Sequence, residues 1–230
     1  MWLLEELQLP YELKIYKRNE QLRAPKELEE VHPLGKSPVV EVVRPGRPSL
    51  ILAESGHITQ YLADNYDPHG ILSVKDPDVQ EQVGYFLHFA EGNIMQLLLG
   101  ILIGSFASEK APFGFKYLVG FIVDQINKAY YSTELIKDLD YLEKYVKEKG
   151  GKYLLGNKLT AADIIMSYPL LEFVFSNPQQ TKSFLGSTNY GNNIDVVERY
   201  PTLFRWSNDI SNEPKLIKAN EIVEARMARL

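Results

Sequence analysis

Two periods of apolar spacing divide this chain, an alternating one near the start and a helical one over the rest. Residues 2–7 read as the end of a helix, which Pro10 closes. Residues 11–16, YELKIY, alternate polar and apolar and predict a strand. A polar stretch over 17–23 leads to Pro25, a favourable first residue for a helix over 25–31. His32-Pro33-Leu34-Gly35-Lys36-Ser37-Pro38 then interrupts regular structure several times. The β-branched run 39–43 predicts a strand, Arg44-Pro45-Gly46-Arg47-Pro48 a turn, and 50–53 the returning strand of a hairpin. From Ser55 onward Ile58, Tyr61, Leu62 and Tyr66 fall at helical spacing.

Asp67-Pro68-His69-Gly70, followed by Asp76-Pro77-Asp78, reads as a linker. Beyond it the periodic segments are helical: 79–108 and 115–149 are long, 160–176 and 201–211 shorter. Residues 177–194 are rich in Gly, Asn and Ser and have no helical period. The pattern therefore predicts a small α/β domain over 1–68 and an all-α domain over 76–230.

Composition narrows the function classes. The 230 residues carry a net charge of -5 with acids and bases interspersed, so no basic stripe suggests a nucleic-acid partner. There is no cysteine, which rules out disulfides, thiolate metal sites and a cysteine nucleophile from this chain. No metal is expected, and a cytoplasmic location fits. Glu5 and Glu6 follow Met1-Trp2-Leu3-Leu4 at once, unlike a signal peptide. The run 94–106, IMQLLLGILIGSF, is too short for a bilayer, which takes about 20 residues, and predicts a buried helix with no integral membrane segment.

Three local patterns carry chemistry. In Gly35-Lys36-Ser37-Pro38-Val39 a proline enters a strand. As a trans bond it simply starts an edge strand; as a cis bond it would turn the Ser37 backbone outward to pair with an extended peptide. Glu54-Ser55 stands where a strand ends and a helix begins. Ser55 is an ordinary N-cap there, or its hydroxyl and the helix N–H groups receive a ligand carboxylate while Glu54 holds an ammonium. Leu159-Thr160-Ala161-Ala162-Asp163-Ile164 forms a capping box with flanking staple positions, a folding device without a binding role.

In this order and at these separations, HPLGKSPVVEV, LILAESGHITQYL and LLGNKLTAADIIMSYP resemble recurring segments of the glutathione transferase family. YKRNEQLRAPKELEEVHPLGKSP is most similar to fungal members, and the resemblance spans essentially the whole chain. It implies a thioredoxin-like α/β N-terminal domain, an all-α helical-bundle C-terminal domain and a homodimer. It also implies glutathione as co-substrate, with Ser37 pairing its backbone with the cysteinyl part. Glu54 and Ser55 would hold the γ-glutamyl head group, and Lys36 would approach the glycyl carboxylate. Arg23 and His32 lie nearby and are candidates for helping to bind a carboxylate; a surface charge and a helix-end residue are the alternatives. Glutathione has two carboxylates and one ammonium on an extended backbone, so these residue types suit it independently.

The family fold opens with a β-strand and then a Tyr, Ser or Cys that acts on sulfur. Residues 1–4 already resemble the middle of the first helix, so that first strand and the activating residue have no counterpart, and the catalytic group stays unassigned. An in-frame strand upstream of Met1 ending in Ser, Tyr or Cys would favour catalysis. The expected activity is conjugation of glutathione to small hydrophobic electrophiles in detoxification, with peroxidase or thiol-transfer side activity. The alternative is a non-catalytic binding or regulatory relative, as some fungal homologues are. Phe86, Phe89 and Asn93 are candidates for the acceptor pocket, with plain core as the other reading of the aromatics. The run 94–103 is apolar on more than one helical face and lacks a basic amphipathic face, so a two-fold partner is expected to cover part of it.

Overall fold

The computed structural model describes residues 1–19, 23–175 and 195–229, so the stretch 177–194 lies outside the described residues. In chain order the elements are α1 (Trp2–Glu6), α2 (Glu27–Val31), β1 (Val39–Val42), β2 (Leu50–Ala53), α3 (Ser55–Asn65), α4 (Pro77–Phe89) and α5 (Gln96–Lys110). They continue with α6 (Lys116–Ile126), α7 (Ser132–Lys149), α8 (Ala161–Pro169), α9 (Val196–Arg199), α10 (Pro201–Ser211) and α11 (Pro214–Met227). The chain divides into two units, Met1–Ser73 with Glu213–Leu230, and Val74–Asn212. The C-terminal helix, placed with the other helices by the sequence reading of 76–230, thus belongs to the first unit. The reason is an anchor between distant parts of the same chain: α11 packs on α1, and Lys218 Nζ lies 2.7 Å from the Glu5 carboxylate.

In the first unit β1 and β2 form an antiparallel hairpin with Val39 opposite Ala53 and Val42 opposite Leu50. Val42 and Leu52 are buried while Glu41 and Ile51 are exposed, the alternation of a sheet with one covered face. The Arg44 guanidinium ties the turn by donating to the Pro48 carbonyl at 2.7 Å. Residues 11–16 do not form the expected strand. They keep the alternation, with Leu13 and Ile15 partly covered and Glu12 and Lys14 exposed, but no ladder partner lies beside them among the described residues. A period of two selects which side chains turn inward, and only a neighbouring strand makes a sheet.

The regular elements of the second unit are helices among the described residues, apart from an isolated bridge between Tyr153 and Gly156. Asp76 caps α4 by accepting from the Asp78 N–H at 2.9 Å, with Pro77 in the first turn. Through a π-helical turn (Ala90–Met95) α4 continues into α5, giving one helical run over Pro77–Lys110 of 34 residues. By length and composition that run could cross a membrane, yet 44% of its most apolar window is buried inside the protein. Leu97, Leu98 and Ile101 face the core, while Leu99, Ile103 and Phe106 remain exposed. Helix α6 buries no residue at all. Gly104 lets α5 approach α6, because a β-carbon there would meet Val123 Cγ1 at 2.8 Å.

The capping box forms at the start of α8, where Thr160 and Asp163 exchange side-chain and backbone hydrogen bonds. Asp163 is wholly buried and accepts from the Leu154 N–H at 2.8 Å and the Thr160 N–H and hydroxyl at 3.0 Å each. Burial pushes its carboxyl up, and these donors oppose that push by favouring the ionised form.

Candidate functional site

The hairpin register brings the predicted ligand-facing residues of the first unit to one end of the sheet. Val39 pairs with Ala53, so Ser37-Pro38 enters β1 at the same end at which Glu54-Ser55 leaves β2. The Ser37–Pro38 peptide is cis. Among the described residues, the Ser37 N–H and carbonyl have no hydrogen-bond partner. The approach to this point is a closed turn: Gly35 N–H donates to the His32 carbonyl at 2.8 Å, with Gly35 at a φ of +56°. A β-carbon on Gly35 would approach Glu29 Cγ to 2.8 Å, so this position favours glycine on both counts. Lys36 is exposed and makes no ion pair among the described residues.

Across the sheet end, Glu54 is the N-cap of α3 and has φ 70° and ψ 121°. A left-handed φ in a residue with a side chain costs about 1–3 kcal/mol and persists only where its surroundings impose it. Its carbonyl accepts the first helical bond, from the Ile58 N–H at 2.9 Å, while no side chain caps α3. The N–H groups of Ser55, Gly56 and His57 therefore keep the partial positive charge of a helix start without an internal acceptor. The Ser55 hydroxyl is half-exposed and has no partner among the described residues; the Glu54 carboxylate is exposed. The arrangement offers donors for a carboxylate, an acid for an ammonium and a free backbone edge for a peptide.

The two accessory candidates differ. His32 ends α2 on the same loop, and its Nδ1 accepts from the Leu34 N–H at 3.4 Å. Arg23 is exposed, its backbone pairs with Asn19 at 2.9 Å, and no contact ties its side chain to the cluster.

In the second unit, α4 borders an open groove of about 770 Å³ lined by Glu81, Gly84, Tyr85, His88, Phe89, Gly92 and Asn93. Phe89 and Asn93 face this groove. Phe86 does not: it is fully enclosed and packs edge-on against Tyr145 at 5.2 Å, behind the wall. The sequence reading passed over Gly84, His88 and Gly92, although their four-residue spacing puts them on one helical stripe. Tyr85 stacks on Phe89 with ring centroids 5.4 Å apart. Burial and a hydrogen bond to Tyr141 push the Tyr85 phenol well up, and burial raises Tyr145 to about 12, so both rings present hydroxyls rather than phenolates. Burial also raises the Asp138 carboxyl, beside Asn93. Among the described residues no group of three or more acidic or imidazole side chains is placed to hold a metal ion.

Comparison with known proteins places this geometry in context. Residues 1–64 match the family model for the glutathione S-transferase N-terminal domain, and residues 116–219 match that for the C-terminal domain. Glutathione S-transferase 1 of Saccharomyces cerevisiae is 34% identical over 98% of this chain and 90% of its own length. A glutathione S-transferase crystal structure from Actinobacillus pleuropneumoniae is 28% identical with a TM-score of 0.62, over 97% of this chain and 86% of that one. A glutathione transferase homologue from Lodderomyces elongisporus, solved with two GSH per subunit, superimposes with a TM-score of 0.68 at 21% identity, over 96% of this chain and 91% of that one.

Proposed function

This chain belongs to the glutathione transferase family, with its thioredoxin-like N-terminal domain and mostly helical C-terminal domain, and on that premise we propose that it binds glutathione and conjugates it to small hydrophobic electrophiles. The observation that carries the reading is the meeting of Ser37 with Glu54-Ser55 at one end of the hairpin. The Ser37 backbone pairs with the cysteinyl unit as a strand would. The first turn of α3 and the Ser55 hydroxyl receive the γ-glutamyl carboxylate, Glu54 takes its ammonium, and Lys36 meets the glycyl carboxylate. Of the accessory pair, His32 shares the loop, whereas Arg23 precedes α2. The solved relative from Lodderomyces elongisporus carries glutathione, which supports this ligand class.

Catalysis requires the thiol to ionise. A free thiol has a pKa of about 8.5, and each unit of depression takes about 1.36 kcal/mol of preference for the thiolate. The groove on α4, with the flat face of Tyr85 and Phe89, suits an apolar acceptor. Copies of the chain pair in this reading, covering the open faces of α5 and α6. Steady-state assays with glutathione and a panel of aryl halides, peroxides and disulfides test the activity. Absence of turnover with all of them would reject the enzyme reading.

One observation favours a second reading, a glutathione-binding protein without turnover. The chain has no cysteine, so it supplies no thiol nucleophile of its own. Glutathione binding by calorimetry together with silence in every assay would select it.

A further inference from the structure

Helices α5 and α6 are joined by a tight turn that is exposed over residues 112–115. The Phe115 N–H donates to the Pro112 carbonyl at 3.0 Å, and Gly114 sits at φ +91°, so the turn is closed by its own backbone. Phe113 at its corner is completely exposed, Tyr117 is 93% exposed, and Phe115 is 59% exposed. Three large aromatic rings thus stand in water at one tip, which solubility alone would select against. Lys110 and Lys116 bracket the turn, both exposed and neither in an ion pair among the described residues.

We propose that this tip is an interfacial anchor that inserts Phe113, Phe115 and Tyr117 into an anionic lipid surface. The chemistry is graded in the way such an interface demands. Two phenyl rings can enter the acyl boundary, a phenol can keep its hydroxyl among headgroups, and two ammonium groups on long stems can reach lipid phosphates. A second copy of the chain suits the neighbouring helical faces better. Leu99, Ile103 and Phe106 on α5, with Leu118, Phe121 and Ile122 on α6, stand at helix-packing spacing, whereas the turn offers no ridge for a helix to grip. The bracketing lysines outnumber the one neighbouring acid, the exposed Glu109, and leave the tip with the positive charge that complements anionic lipid.

Vesicles of phosphatidylcholine and phosphatidylserine in a two-to-one ratio, against pure phosphatidylcholine, test the assignment by co-sedimentation. The expected result is binding to the anionic vesicles that falls at least roughly tenfold in Phe113→Ser/Phe115→Ser/Tyr117→Ser, given the apolar burial lost. Lys110→Gln and Lys116→Gln should each weaken it about fivefold, the equivalent of that headgroup attraction. Thermal melts and light scattering of the triple variant accompany the test, with folding and mass expected to match the parent. No binding of the parent to anionic vesicles overturns the proposal. So does unchanged binding by the triple variant, or a fall in its solution mass, which would give the tip to a second copy.

Discussion

Trp206 donates its indole N–H to Asp163 at 3.0 Å, joining α10 to the capping box of α8 in the fully buried interior of the helical unit. With the Leu154 and Thr160 donors, one carboxylate joins the loop before α8, the start of α8 itself and the more distant α10. Asp163→Ala strands these donors without an acceptor and is expected to cost about 3–5 kcal/mol. Asp163→Asn keeps the shape but offers one oxygen instead of two, so it should fall between the parent and the alanine variant. Denaturant melts followed by Trp206 fluorescence would check the order.

The close crossing at Gly100 makes a second test. A β-carbon there would overlap the ring of Tyr131, which sits in the π-helical turn (Asn127–Tyr131) between α6 and α7. Gly100→Ala should destabilise by about 1–3 kcal/mol, through forced displacement of the ring. Combining it with Tyr131→Ala should recover part of that loss. A thermal scan in which Gly100→Ala melts at or above the parent temperature would contradict the packing described.

Glu5, Tyr11 and Lys218 predict how the first unit responds to pH. The Lys218 contact, then the Tyr11 hydroxyl at 2.6 Å, hold the Glu5 carboxyl below its ordinary 4.5. A depressed acid contributes stability that is present above its unfolded value and lost as pH falls through the folded one. Burial, then the bond to Glu5, raises the Tyr11 phenol from 10.0 to about 12. Its contribution is present below 10.0 and is lost as pH rises through about 12. Difference titration of the parent against Tyr11→Phe at the phenolate absorbance should show one late-ionising tyrosine missing from the variant. Lys218→Ala should cost no more than about 1 kcal/mol, since the ammonium is largely in water.

Calorimetry with glutathione ranks the proposed contacts. Glu54→Ala and Ser55→Ala are each expected to weaken binding by about 1–3 kcal/mol, the range for removing one partner of a charge-assisted bond. Lys36→Ala should cost about 0–1 kcal/mol because its ammonium is exposed. A larger loss at Lys36 than at both others would move the head group away from α3.

The open faces of α5 and α6 predict association. Helix α6 buries no residue within its own chain, and Phe121 and Ile103 are each 62% exposed. A stable pairing covers about 800 Å² per partner, which large side chains in such number supply. Light scattering at micromolar concentration should report twice the 26.3 kDa chain mass. Ile103→Glu with Phe121→Glu should return it to one chain.

What the sequence made legible was local chemistry. The hairpin 39–53 follows from β-branched residues around a Pro-Gly turn, and the α8 start from Thr160 and Asp163 three positions apart. Residues 11–16 misled because alternation reports facing, while pairing depends on a remote neighbour. Phe86 and Phe89 lie three apart on a helix apolar around much of its surface, so periodicity could not tell the enclosed ring from the one facing the groove. The bond from Trp206 to Asp163 and the contact of Lys218 with Glu5 span too many residues for any local pattern to reveal.

The placement of α11 on α1 has a consequence for how the molecule is made. The first unit is assembled from two ends of the chain, with the helical unit lying between them in sequence. A ribosome delivers Trp2 and Glu5 early and Lys218 more than two hundred residues later, at about 5–20 residues per second. Residues 74–212, which make up the helical unit, are all synthesised before Lys218, the counterion of Glu5. The contact that ties α11 to α1 therefore cannot form until synthesis has passed residue 218.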